Sequence, residues 1–196
     1  MSPPRRLITD ALATDHRALE ALFEALRGIP SRDAASRVAV FTRLQALLQA
    51  HSRAEEEVVY RALRARVPDD EAPQAAYEEH HVADLLLQEL ASGCPGGARW
   101  SAKLRVLETL LDHHIKEEET GSFALIDEHF SALEQATMAE EFRALKHEPV
   151  EKLLAPLRRA TPAFAGRASI GVQSAAGRYL RRGELRLRRA LRTSQA

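Results

Sequence analysis

Cysteine is almost absent from this chain. Cys94 is the single one in 196 residues, which excludes an internal disulfide and suits a reducing compartment. Aromatic residues make up only 5% of the sequence. Val and Ile are sparse beside Ala, Leu, Arg and Glu, a balance that disfavours sheets and favours helices. No apolar run approaches the ~20 residues of a membrane-spanning helix, and the Met1 end has no signal-peptide core. The expected location is therefore cytoplasmic. Phosphate-binding loops, a nucleophile constellation, a dedicated acid/base pair and a second cofactor motif are missing as well. Net charge is zero, but it is unevenly spread. Residues 1–149 carry 26 acidic and 17 basic side chains, whereas residues 150–196 carry 2 acidic and 11 basic. The chain reads as an acidic body with a basic tail.

What the body does have is histidine in a fixed relation to carboxylates. Six of the eight histidines have an acid four residues later: His16/Glu20, His51/Glu55, His80/Asp84, His113/Glu117, His114/Glu118 and His147/Glu151. Residues four apart stack on one helix face. An imidazole and a carboxylate placed this way can hold one metal ion together, so the spacing points to metal chemistry.

Breakers divide the chain into helices. The first is expected from about Thr9 to Arg27, closed by Gly28 and Pro30. Ser31 is expected to cap a second, which lasts to about Arg66 before Pro68. A third spans about Pro73 to Ala91, a fourth about Ala98 to Phe130, and a shorter fifth about Ser131 to His147. The second carries Val38, Phe41, Leu44, Leu48, His51, Glu55 and Val59 on one stripe. The third carries Tyr77, His80, Ala83, Asp84, Leu87 and Leu90. The fourth carries Trp100, Leu104, Leu107, Leu111, His114, Glu118 and Leu125. The fold class is all-α: an up-down-up-down four-helix bundle over residues 8–147, with a short fifth helix and a basic C-terminal tail over 148–196. Within the tail, residues 161–177 are linker-like, and Tyr179, Leu180, Leu185, Leu187 and Leu191 then mix with arginines. A partly helical or disordered tail is expected. It would contact an anionic membrane, nucleic acid or its own acidic body, which the sequence does not rank.

Four buried histidines, one per helix, would leave several ring nitrogens without partners unless they share a metal. An internal repeat selects among them. His16 to Leu26 aligns with His80 to Leu90 at an offset of 64 residues. His51-x-x-x-Glu55 followed by Tyr60 aligns with His114-x-x-x-Glu118 followed by Phe123 at 63. His80 and His114 continue their apolar stripes, so His81 and His113 are flanking. Glu56, Glu57, Glu117 and Glu119 read as solvated charges, Glu20 as a flank, and His129 and His147 as structural or exposed. Asp84 is ambiguous between binding metal and orienting a histidine. Gly121, aligned with Val58, is expected to leave room for a small ligand.

Asp15-His16-Arg17, His51-x-x-x-Glu55-Glu-Glu-Val-Val-Tyr60, Glu79-His80 and His113-His114-Ile-Lys-Glu117-Glu118-Glu119 together resemble the hemerythrin-like HHE cation-binding family, over about residues 8–147. The resemblance implies a non-haem di-iron centre, two iron ions joined by an oxo or hydroxo group. Its ligands carry over to His16, His51, Glu55, His80, His114 and Glu118. The order His-x-x-x-Glu differs from the Glu-x-x-His of ferritin-like sites. Asp84 stands where oxygen-carrying hemerythrins have another histidine, which argues against simple reversible oxygen carriage. Arg61 and Ala124 replace a proline often found in the family. The expected function is binding or sensing O₂, peroxide or nitric oxide, or holding iron itself. The rival readings are a di-iron enzyme acting on peroxide or nitric oxide, and an iron donor for iron–sulfur cluster repair.

Overall fold

The computed structural model describes residues 7–159, with side chains as far as Lys146. The expected tail readings, and the His147/Glu151 pair, lie outside the described side chains. Five helices follow one another, and no strand occurs among the described residues. The first helix is Ile8–Gly28. The second is built from an α-helical stretch Ala34–Glu55, a π-helical turn Glu56–Tyr60 and a closing stretch Arg61–Arg66. The third is Ala72–Ala91. The fourth repeats the pattern of the second: Ala98–Glu117, a π-helical turn Glu118–Ser122, then Phe123–His129. The fifth is Ala132–Arg159.

Local chemistry sets these boundaries. The second helix starts later than expected because Asp33, not Ser31, caps it by accepting from the Ser36 N–H at 3.1 Å. Ser131 and Glu134 form a reciprocal capping box before the fifth helix, with the Ser131 N–H donating to Glu134 Oε2 at 2.8 Å. That helix continues to Arg159 instead of ending near His147. Gly96 serves a close approach. A Cβ there would come within 2.7 Å of the Ser31 carbonyl oxygen, so the loop around Cys94 can lie against the Ser31 loop only without a side chain.

The first helix packs on the second and the third on the fourth, so each repeat is a helical hairpin. Two apolar clusters fill the bundle. One gathers Leu19, Phe23, Leu26, Leu44, Leu48, Leu87, Leu90, Trp100, Leu104, Leu107 and Leu111. The other gathers Ile8, Leu12, Val58, Val59, Tyr60, Leu63, Ile126, Met138 and Phe142. Fully burying each large aliphatic contributes about 1.5–3 kcal/mol. One expected core residue departs from its stripe. Val38 is exposed, and Arg37 is buried with its guanidinium over the Trp100 ring at 4.8 Å.

Along each of the first four helices the two clusters are separated by one polar step. Leu12 gives way to Asp15 and His16 before Leu19, and Leu48 to His51 and Glu55 before Val58. Tyr77 gives way to His80 before Ala83, and Leu111 to His114 and Glu118 before Ile126. The bundle thus contains one ionisable layer between two oily ones.

Candidate metal centre

Every side chain in that layer is buried: His16, His51, Glu55, His80, His114 and Glu118 are at most 4% exposed. They gather as two triads, His16–His51–Glu118 and Glu55–His80–His114, with ligand atoms in each within 4.8 Å of one another. All six sequence-predicted site residues are brought together. Asp84 and Glu20 are not among them. Asp84 pairs with the Gln49 side chain, and burial pushes its carboxyl up. Glu20 pairs with Arg17.

The two carboxylates tie the triads to each other. Glu55 Oε2 lies 3.5 Å from His51 Nε2, 3.5 Å from His80 Nε2 and 4.0 Å from His114 Nε2. Glu118 Oε2 lies 3.1 Å from His16 Nε2 and 3.9 Å from His114 Nε2. Each glutamate therefore reaches imidazoles of both triads, the placement a bridging carboxylate needs.

The outward nitrogens explain why the inward ones are bare. His16 Nδ1 lies 2.8 Å from Glu119, and His51 Nδ1 lies 3.1 Å from Asp15. His80 Nδ1 lies 3.1 Å from Glu56, and His114 Nδ1 lies 2.8 Å from Glu79. An ionised carboxylate only accepts, so each Nδ1 carries a proton, and a ring that holds no second proton turns an Nε2 lone pair inward. Those lone pairs converge without donors. His80 Nε2 and His114 Nε2 are 3.2 Å apart. His16 Nε2, His51 Nε2 and all four oxygens of Glu55 and Glu118 are buried with no hydrogen-bond partner. Such a concentration of buried acceptors is unfavourable until a cation or protons enter it. The donor set fits a metal.

Electrostatics carry the same message. Burial and the charge of Glu55 push the Glu118 carboxyl well above the carboxylate range. Burial alone would raise Glu55 too, but Glu118 and the His51 charge hold it well below. Burial opposes charge on His51, yet Asp15 and Glu55 lift it to about 9, while burial and the His51 charge lower His16 to about 4.

Aromatic rings close the layer. Tyr60 stacks on His80 at 5.6 Å and its repeat counterpart Phe123 stacks on His16 at 6.2 Å. Phe142 of the fifth helix meets His51 edge-on at 5.7 Å. The Tyr60 hydroxyl is buried without a partner near Glu55 and Glu118, and burial and their charges raise it well above the usual phenol value.

Two readings of the sequence change here. Glu56 and Glu119 are not solvated charges, since each holds a histidine of the opposite hairpin. Both lie at the start of a π-helical turn, which begins directly after Glu55 and at Glu118. Asp15 and Glu79, to which helix phase gives no role, orient the histidine of their own hairpin. The repeat carried the signal, because Asp15 aligns with Glu79 at 64 and Glu56 with Glu119 at 63. His113 is exposed and forms a surface group with Glu79 and Glu117, and His81 is also exposed. Gly121 is exposed, and a Cβ there would meet nothing within 4 Å.

Known proteins are similar to this chain. A DNA nickase of Nostoc sp. is 28% identical over 146 residues, 74% of this chain. The chain spans only 41% of that protein's length. An uncharacterized hemerythrin-like protein of Schizosaccharomyces pombe is 27% identical over 141 residues, covering 71% of this chain and 68% of that one. The crystal structure of a hemerythrin HHE cation binding domain-containing protein from Mycobacterium kansasii superposes with a TM-score of 0.67 at 22% identity. That match covers 83% of this chain and 96% of the other, and it shows a shared fold. The profile of the hemerythrin HHE cation binding domain matches residues 7–126, and the chain belongs to that family.

Proposed function

We propose that the layer holds two iron ions and that the protein binds or senses O₂ or a related small oxidant. The observation that carries this reading is the pairing of triads. Two sets of converging Nε2 and carboxylate atoms share Glu55 and Glu118 between them. Imidazole nitrogens suit iron, copper and zinc, and bridging carboxylates favour a pair of iron or manganese ions. Iron in such a site supplies reversible one-electron chemistry and open positions for small ligands. The chain's own residues do the rest. Four carboxylates fix the ring tautomers, and Tyr60, Phe123 and Phe142 wall the layer off.

A second reading, an enzyme that decomposes peroxide or acts on nitric oxide, is favoured by the buried Tyr60 hydroxyl, a hydrogen-bond donor beside Glu55 and Glu118. Anaerobic iron loading followed by rapid mixing with O₂ and with peroxide separates the two. A reversible spectral change with O₂ and slow peroxide loss is expected. Sustained peroxide turnover would transfer the protein to the enzyme class, and a purified chain that takes up no iron would end both readings.

No helix among the described residues is long and apolar enough to cross a membrane, which suits the proposed cytoplasmic location. The basic residues 150–196 and the similarity to a DNA nickase make nucleic acid the partner to try first for the tail. An anionic membrane and the protein's own acidic body are the alternatives.

A further inference from the structure

The repeat makes the two triads look equivalent, but their surroundings are not. Both carboxylates behind the first triad carry a cation. Lys146 of the fifth helix contacts both oxygens of Asp15, the acceptor of His51. Arg17 Nη2 lies 2.6 and 2.5 Å from the two oxygens of Glu119, the acceptor of His16. Behind the second triad, Glu56 and Glu79 have no lysine or arginine partner among the described residues; the groups facing them are His80, His113 and His114. The repeat itself shows the break. Arg17 aligns with His81, which is exposed, and Lys146 lies in a helix outside the repeat.

We infer that Lys146 and Arg17 make the two half-sites unequal, so that a divalent cation fills Glu55–His80–His114 first and His16–His51–Glu118 second and more weakly. A histidine N–H that donates to a free carboxylate makes its other nitrogen a stronger donor to metal. A cation on that carboxylate draws off electron density and weakens the effect. It also places a positive charge behind the ring, opposing the arrival of another. Both influences act in the same direction on His16 and His51, and neither acts on His80 or His114. Lys146 and Arg17 are thus positioning and tuning residues, not ligands. The inference rests on the proposed two-ion site.

The test is stepwise titration of the full chain with cobalt(II) alone, competed against a coloured chelator and followed by visible absorption. Lys146→Met and Arg17→Met should each tighten the weaker step about tenfold and leave the tighter step within about twofold. Glu79→Gln should weaken the tighter step. Arg17 is on the surface, 56% exposed, so its variant keeps the test open should Lys146→Met unfold. If the methionine variants loosen the weaker step, or shift both steps equally, the cations serve only to hold the carboxylates and the inference is overturned while the two-ion site stands. A chain that binds no cobalt overturns both.

Discussion

Removing the metal should cost much of this protein's stability, and the structure allows the cost to be worked out. Six buried acceptors lack partners: two Nε2 atoms and four glutamate oxygens. A buried unsatisfied polar group costs about 1–3 kcal/mol, so the six together cost about 6–18 kcal/mol. Protonation and entry of water relieve about half, leaving about 3–9 kcal/mol. A small domain has only about 5–15 kcal/mol in all. At about 2–4 °C per kcal/mol for a chain of this size, the chelated protein should melt about 6–36 °C below the loaded one. Thermal melts followed by circular dichroism before chelation, after it, and after metal is restored give the comparison. A second perturbation fixes the cause. Glu118→Leu removes two orphaned acceptors and fills their space with carbon, so it should raise the melting temperature of chelated protein and lower that of loaded protein. Equal melting of the loaded and chelated wild type, or a loss of the same size in both states for Glu118→Leu, would refute the reasoning.

The outward carboxylates should matter to metal and their neighbours should not. Asp15→Asn and Glu119→Gln should weaken metal binding about 10–100-fold in chelator competition, and the exposed Glu57→Gln and Glu117→Gln should leave it unchanged. Away from the centre, the side chain of Arg66 and the backbone and hydroxyl of Ser131 hold the Glu134 carboxyl down to about 2. A folded value below the unfolded one stabilises above about pH 4.5 and loses that contribution as pH falls toward 2. The melting temperatures of wild type and Glu134→Gln should therefore differ at pH 6 and converge near pH 2; a gap that is constant with pH would count against this cap.

How much of this is legible in the sequence depends on the kind of information involved. Helix phase suffices to put His16, His51, His80 and His114 on inward stripes, because apolar residues three or four positions away define those stripes: Leu12 and Leu19, Leu48, Tyr77 and Ala83, and Leu111. It fails at Val38 and Arg37, where the guanidinium lies buried over the Trp100 ring and the valine is exposed. It fails again at Glu56 and Glu119, because their partners His80 and His16 come from the opposite hairpin. Periodicity describes one helix at a time and cannot announce what a neighbouring helix presents.

The repeat reaches further than periodicity, but it too has a boundary. It pairs Asp15 with Glu79 and Glu56 with Glu119, and so predicts a centre with two equal halves. Inequality must come from residues the duplication did not copy. Lys146 is one, because the fifth helix has no counterpart in the repeat. Arg17 is the other, because its counterpart is an exposed histidine. A centre built by doubling one hairpin acquires distinct ends only through such additions, so variation at positions 17 and 146 should alter the difference between the two half-sites while the six inward side chains stay the same.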